Sequence, residues 1–138
     1  MKLVLDTNVV LSALLWGGSP EDLLLVGRGD SVTFVTSPPL MAELRGILSR
    51  RKFEKKIAAS LLSVDQIVEL YSDQTMSVQP FSTPRIVSDP DDDVVIGTAI
   101  AARADLIVTG DKALLSVAEY QGVRIVSVAD ALRILTSG

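Results

Sequence analysis

Apolar and polar residues follow two different spacings along this chain. Short runs rich in valine, isoleucine and leucine alternate with longer stretches in which apolar residues recur at helical intervals. The short runs predict strands at residues 2–6, 32–36, 106–109 and 123–126, with a weak further strand at either 75–78 or 85–87. Because strands and helices alternate, the pattern predicts an α/β protein, a three-layer α/β/α sandwich around a central parallel sheet.

Proline, glycine and capping residues set the expected ends of the helices. Helices are predicted at residues 7–15, 20–27, 38–50, 54–74, 90–104, 112–121 and from 128 onward. We expect the fourth helix to break near Ser63, and Ser127 with Asp130 to form a capping box before the last. The 138 residues contain no internal repeat or linker, so a single domain over residues 1–138 is expected.

Two absent residue types narrow the chemistry, since the chain has no cysteine and no histidine. Without cysteine there is no disulfide framework or thiolate metal site, which suits a reducing compartment. Without histidine, serine–histidine catalysis, histidine bases and most zinc sites are excluded. No apolar run approaches the ~20 residues that span a bilayer, and Asp6 comes too early for a signal peptide. We therefore expect a cytoplasmic protein without a membrane partner.

Four carboxylates are expected at one edge of the predicted sheet. Asp6 and Asp111 follow strands, whereas Glu43 and Asp93 lie near the starts of helices entered from strands. In a parallel α/β sheet these positions share the carboxyl edge, where ligands bind. Clustered carboxylates repel one another unless a cation is bound, and all-oxygen ligands select Mg²⁺ or Mn²⁺ before zinc. The sequence therefore predicts a divalent-metal site first and phosphodiester hydrolysis second.

Each of these acids also has a structural interpretation. Asp6 could be the N-cap of the helix that begins at Thr7, and Asp111 could cap the helix that begins at Lys112. Glu43 could lie on a solvated helix face. The metal interpretation depends on the convergence of all four acids, which the topology implies.

A run of aspartates at the start of the fifth predicted helix offers more than one ligand. Asp89 is expected to cap that helix, and Asp91 and Asp92 favour the positive end of its dipole. At about 100° per residue, Asp92 shares a face with Arg103 and is expected to face solvent. Asp93 shares its face with apolar residues and is expected to point toward the sheet. Asp93 is therefore the predicted ligand, with Asp92 as the alternative.

With these residues placed, the chain resembles PIN-domain proteins, in particular the bacterial and archaeal toxin components related to VapC-type toxins. Three segments carry the resemblance: Leu5-Asp6-Thr7-Asn8-Val9-Val10, Met41-Ala42-Glu43-Leu44-Arg45, and Asp89-Pro90-Asp91-Asp92-Asp93 continued by Ala104 through Asp111. The resemblance covers essentially the whole chain. It implies a PIN-like fold and an Mg²⁺- or Mn²⁺-dependent endoribonuclease. Relatives often carry asparagine at the position that is Asp93 here.

The resemblance also implies roles and partners. The acidic quartet is Asp6, Glu43, Asp93 and Asp111, supported by Thr7, Asn8 and Thr109. In this scheme the aspartates, with Asp92 as the alternative, hold one or two cations, and Glu43 positions or deprotonates the attacking water. The implied partners are an RNA substrate, a small antitoxin and a second copy in a homodimer, with the helices between residues 38 and 74 as contact surfaces.

Positive charge is concentrated in one segment of an acidic chain, which has 13 basic and 17 acidic residues. Six basic residues follow Glu43 within twelve positions of one another: Arg45, Arg50, Arg51, Lys52, Lys55 and Lys56. The first four are candidate RNA contacts that would steer phosphates toward the metal. The segment is equally typical of a solvated helix end or of a surface for an acidic partner. Trp16, beside two glycines, is expected to cover a helix end rather than to stack on a base.

Other α/β classes fit these residues less well. A receiver domain would have paired acids after the first strand and a lysine after the last, where this chain has Asp6 alone and Ser127. A haloacid-dehalogenase-like enzyme would have a second aspartate at the position of Asn8. Two alternatives to a toxin nuclease stay open, namely a non-catalytic PIN-fold interaction module and an RNA-processing nuclease without an antitoxin.

Overall fold

The computed structural model describes residues 1–29, 31–82 and 90–137, with the backbone alone at positions 90 and 91. The strands of this described part are β1 (Lys2–Leu5), β2 (Thr33–Thr36), β3 (Thr75–Ser77), β4 (Leu106–Val108), β5 (Glu119–Tyr120) and β6 (Val123–Val126). They form one sheet in the order β3-β2-β1-β4-β6-β5. Neighbouring strands are parallel except for β5 and β6, which are antiparallel. The predicted α/β class is confirmed.

Local capping chemistry sets the helix boundaries. The helices are α1 (Thr7–Leu15), α2 (Ser19–Val26), α3 (Pro38–Leu48), α4 (Glu54–Ala59), α5 (Val64–Ser72), α6 (Pro90–Ala102), α7 (Lys112–Val117) and α8 (Val128–Thr136), with a 3₁₀ turn at Arg51–Phe53. Ser63 and Gln66 form a reciprocal capping box that starts α5, which confirms the predicted break. The Ser127 hydroxyl accepts the N–H of Asp130 at 3.1 Å and so caps α8.

Side chains alternate between the two faces of the sheet and build two apolar clusters. Leu3 and Leu5 of β1 belong to the first cluster, with residues of α1, α2, α3, α4, α5 and α8. Val4 belongs to the second cluster, which includes residues of α6 and α7. The sheet is therefore buried on both faces, which explains the uninterrupted apolar sequences of β1 and β4. The predicted three-layer arrangement is confirmed.

The chain between α7 and β6 departs from the prediction of a helix through residue 121. α7 ends at Val117, and the chain turns at Ala118, whose φ is 66°. β5 follows, and a turn with positive φ at Gln121 and Gly122 returns the chain into β6. The prediction was wrong because pairing with β6 is a tertiary gain that leaves no mark on the apolar spacing.

β3 occupies the first of the two positions that the pattern offers for a weak strand. The second position, residues 85–87, lies outside the described residues, as do the expected cap at Asp89 and the side chain of Asp91.

Among the described helices, none is by itself both long enough and apolar enough to cross a bilayer. α1 and α2 meet those criteria only when counted together, as a pair bent by 97°.

Candidate metal centre at the carboxyl edge

Asp6 lies at the carboxyl end of β1, next to the end of β4. Its N–H donates to the carbonyl of Val108 at 2.9 Å, which extends the pairing of the two strands and fixes the backbone of Asp6. The residue is only 7% exposed. A carboxylate this buried must be satisfied by hydrogen bonds, by a cation or by both.

One buried hydroxyl connects Asp6 to the loop after β4. Thr109, which is 0% exposed, donates from Oγ1 to Oδ2 of Asp6 at 2.7 Å. The same oxygen accepts the N–H of Asp111 at 3.0 Å. Because a hydroxyl donates once and accepts through its lone pairs, this geometry uses both functions of the side chain. The carboxylate of Asp6 and the backbone N–H of Asp111 therefore meet at one hydroxyl at the carboxyl edge of the sheet.

The interpretation as a helix N-cap is right for Asp111 and wrong for Asp6. Asp111 caps α7, since its Oδ1 accepts the N–H groups of Ala113 at 2.7 Å and Leu114 at 3.4 Å. Asp6 precedes α1 without a side-chain capping bond to that helix, all of which is described. The side chain of Asp6 instead accepts a hydrogen bond from Thr109, more than a hundred residues away in sequence.

The two candidate ligands of α6, Asp92 and Asp93, differ in burial in the opposite sense to the prediction. Asp92 is 6% exposed and its Oδ2 is fully buried, so the expectation that it faces solvent with Arg103 is wrong. Arg103 lies beyond the end of α6 with a φ of 54°, so the helical periodicity does not extend to it. Asp93 is half-buried and lines a surface cavity with Phe81 and Ser82. Burial thus singles out Asp92 as the more enclosed of the two acids.

The remaining predicted residues lie at the starts of α1 and α3. Glu43 is half-buried in the second turn of α3. Thr7 is 3% exposed, whereas Asn8 is exposed. The roles assigned to these three residues stay predictions.

Sequence reasoning missed a buried hydroxyl pair near the same edge. Ser37, at the end of β2, and Thr98, in the middle of α6, are both 0% exposed, and their hydroxyl oxygens lie 2.9 Å apart. Thr98 Oγ1 also lies 2.8 Å from the carbonyl of Val94, one turn earlier. The pair fastens α6 to the end of β2. A serine before a helix is typical of an N-cap, so the sequence pattern contains no signal for this tertiary contact.

The donor chemistry of this edge fits a hard divalent cation, because it consists of carboxylate and hydroxyl oxygens without nitrogen or sulfur ligands. The geometry fits in part. Asp6 and Asp111 meet at Thr109, but within residues 1–29, 31–82 and 90–137 no three acidic side chains form a group that could hold a metal ion. The structure therefore connects the carboxylate of Asp6 to the backbone of Asp111, and the metal-binding roles of the four acids stay predictions.

The basic segment lies away from this edge, at the far ends of α1 and α3. Arg45 forms an ion pair with Asp65 of α5, which separates it from the other candidate RNA contacts. Arg50 and Arg51 line a cavity of about 400 Å³ after the end of α3. Trp16 is 56% exposed, so it covers the end of α1 only in part.

The central sheet, its two helical layers and the acidic carboxyl edge define an α/β protein with a candidate metal centre. The chain belongs to the PIN domain family, whose sequence profile matches residues 2–113. The predicted family is thereby confirmed. The matched region contains Asp6, Glu43, Asp92, Asp93 and Asp111; the region after it contributes β6, which pairs with β4 in the same sheet.

A solved structure supports the fold. The crystal structure of VapBC2 from Rickettsia felis, bound to a DNA fragment from their promoter, contains a chain similar to this one, with a TM-score of 0.62 and 16% sequence identity. The alignment covers 92% of this chain and 98% of that chain. No curated protein matches the sequence.

Proposed function

We propose that this protein is an Mg²⁺- or Mn²⁺-dependent endoribonuclease and the toxin component of a toxin–antitoxin pair. One observation carries the nuclease proposal: Thr109 joins the carboxylate of Asp6 to the backbone of Asp111 at the carboxyl ends of the two central strands. Family membership supports the same reading.

The proposed roles follow from position and burial. Asp6 and Asp111 would hold the cation, together with Asp92 or Asp93 of α6. Thr109 would orient Asp6 by donating to its Oδ2, which holds that carboxylate in position. A divalent cation, when bound, would neutralise the charge that develops on the phosphate undergoing attack.

Glu43 is the candidate base for the attacking water. It is half-buried at the start of α3, so its carboxylate is less hydrated than that of a fully exposed residue. In the proposed reaction Glu43 orients water and accepts its proton as the water attacks phosphorus in line. The bond between phosphorus and the 3′ oxygen breaks, and that oxygen takes a proton from solvent, which leaves a 5′-phosphate and a 3′-hydroxyl. Asn8, exposed in the first turn of α1, is available to hydrogen-bond the substrate.

RNA cleavage with metal control tests the proposal. Wild-type protein and an Asp6→Asn variant are incubated with labelled single-stranded RNA in Mn²⁺, in Mg²⁺ and in EDTA. We expect metal-dependent cleavage by wild type and a loss of at least about a hundredfold in the variant, the scale on which essential catalytic groups act.

An Asp73→Asn variant is the matched control, because Asp73 is an exposed acid at the end of α5. It should cleave like wild type. Equal cleavage by the Asp6 variant and wild type would refute the proposed site, since any cutting would then come from a contaminant.

The toxin role rests on the likeness to a chain in a VapBC2 complex and predicts an antitoxin partner for this chain. Induced expression in bacterial cells should arrest growth with wild type and not with Asp6→Asn. Normal growth at matched expression of wild type would contradict a toxin and favour an RNA-processing nuclease without an antitoxin. The homodimer and the cytoplasmic location belong to the same proposal, and sedimentation of the purified protein tests the dimer.

A non-catalytic PIN-fold interaction module is the second candidate. The observation in its favour is that, in the described part of the chain, the acids do not gather into a group of three. Two results together would support this candidate. The Asp6→Asn variant would bind a partner fully, and wild type would cleave no RNA under any metal condition.

A further inference from the structure

An aromatic and basic patch lies where the ends of α1 and α3 meet. We define this aromatic–basic patch as Trp16, Lys52, Phe53 and Lys56. The ring centroids of Trp16 and Phe53 are 5.6 Å apart in an edge-to-face arrangement. Lys56 Nζ lies 5.4 Å from the centre of the Trp16 ring, and Lys52 Nζ lies 5.0 Å from that of Phe53. Both lysines are within the range of cation–π attraction.

The indole of Trp16 contacts a buried ring and a lysine, and more than half of it is exposed. Phe53 is only 7% exposed and packs edge-to-face against it, whereas Trp16 itself is 56% exposed. Gly17 and Gly18 follow with φ values of 76° and 72°, a region that favours glycine. A large exposed aromatic side chain anchored by a buried one is a candidate recognition surface.

The segment that packs against the indole is mainly basic, with Glu21 beside Gly17 and Glu54 in the neighbouring cavity as the acids near it. Residues 50–56 contain five cations and one anion in a protein whose net charge is −4. Arg50 and Arg51, both exposed, line the neighbouring cavity of about 400 Å³. An occupant of this surface must therefore combine negative charge with a flat group that can stack on an indole.

The patch and the candidate metal centre are joined by two helices. α1 starts directly after Asp6 and ends before Trp16, and α3 starts after β2 and ends before Arg50. At 1.5 Å per residue these helices are roughly 14 and 16 Å long. Between the two sites, Gly46 lies on the exposed face of α3 with open space around it. The surface between them is therefore not blocked at that point.

We infer that the aromatic–basic patch binds single-stranded RNA, with a base stacked on Trp16 and the adjoining phosphates on Lys52, Lys56 and the neighbouring arginines. This inference rests on the proposed nuclease function and assigns its substrate class. Single strands expose base faces to an aromatic side chain and phosphates to cations, whereas a duplex hides its base faces. The strand then runs along α1 and α3 to the carboxyl edge.

The chain provides its own reporter, because Trp16 is its single tryptophan. Wild-type protein in EDTA is titrated with oligouridylate of about twelve nucleotides, a length within the range of single-strand binding sites. The indole fluorescence should be quenched on binding, and a duplex of equal length should quench it much less. Quenching in EDTA needs no cleavage, so it reports on binding alone.

Variants separate stacking from charge, with binding followed by polarisation of a labelled oligonucleotide. Trp16→Ala should weaken binding about tenfold, the scale of one stacked base, and Trp16→Phe should restore most of the affinity. Leu70→Ala, which truncates an exposed apolar residue of α5, is the matched control and should bind like wild type. Lys52→Gln with Lys56→Gln should weaken binding more than Arg28→Gln, which removes an exposed charge elsewhere.

Three results would overturn the inference: equal affinity of Trp16→Ala and wild type, equal binding of single strand and duplex, or displacement of the RNA by a polyglutamate peptide at matched charge. The last would assign the patch to an acidic protein segment. The experiments distinguish a failure of this inference from a failure of the proposed function. Asp6→Asn should keep the quenching and lose cleavage. RNA binding by wild type without cleavage would refute the nuclease proposal alone. Unchanged binding and unchanged cleavage by Trp16→Ala would refute the patch inference alone.

Discussion

The two ends of α1 present opposite kinds of polar chemistry. Before its first residue, Asp6 is buried and receives a hydrogen bond from a buried threonine. After its last residue, Trp16 is exposed among lysines. The first site is ordered by hydrogen bonds between the central strands and the loops after them. The second is ordered by an aromatic contact between segments that are remote in sequence. At the buried site, we expect the replacement of a single side-chain atom to change stability and activity. At the exposed site, we expect binding affinity to change gradually as charges are removed.

The largest effect is expected from Thr109→Val, which preserves volume and removes the hydroxyl between Asp6 and Asp111. It deletes the donor to Asp6 Oδ2 and the acceptor for the N–H of Asp111. Because both groups are at least partly buried, the free energy of unfolding should fall by about 1–3 kcal/mol in urea titrations. Cleavage should fall as well. Thr109→Ser keeps the hydroxyl and should recover most of both; a valine variant as stable and active as wild type would show that the hydroxyl orders nothing.

Two variants separate the capping role of Asp111 from its proposed metal-binding role. Asp111→Ala removes the cap of α7 and should cost about 1 kcal/mol of unfolding free energy. Asp111→Asn caps as well as aspartate and should stay within a few tenths of a kcal/mol of wild type. Both variants should lose metal-dependent cleavage. If the asparagine variant cleaves RNA as fast as wild type, Asp111 acts only as the cap of α7.

Two glycines inside helices should respond to alanine in opposite directions. Gly46 is exposed with open space around it, so Gly46→Ala should raise the unfolding free energy by about 0.5–1 kcal/mol. A Cβ atom at Gly97 would lie 2.2 Å from the carbonyl oxygen of Phe81, so Gly97→Ala should destabilise the protein. Thermal melts of the two variants would check both signs.

The smallest effect is expected in the salt dependence of binding. Each phosphate contact on a single strand contributes a slope of about −0.7 to the plot of log affinity against log salt concentration. Lys52→Gln should reduce that slope by roughly one such contact, while Trp16→Ala lowers affinity with the slope unchanged. Identical slopes for wild type and the lysine variant would place Lys52 outside the phosphate path.

Sequence pattern predicted the fold well because the buried strands and the capping residues carry local signals. The strand at β1, the break at Ser63 and the edge that receives Asp6 and Asp111 all follow from such signals. The two-residue strand β5 has no such signal, since it exists by pairing with β6. The exposure of Asp92 was predicted wrongly because α6 ends before Arg103. A helical wheel assumes that both residues belong to one helix, and here they do not. The pair of Ser37 and Thr98 depends on packing between α6 and β2, which no spacing within one helix can express.

The outer strands of the sheet have a consequence for how the protein behaves when concentrated. A sheet normally exposes unpaired N–H and C=O groups along its outer strands, where another chain can add a strand and begin to aggregate. Among the described strands, the outer ones are β3 with three residues and β5 with two. β5 also runs antiparallel to its neighbour, between turns that bend the chain sharply away. Such short edges give an incoming chain few groups to pair with, so we expect these two strands to contribute little to fibril-like association.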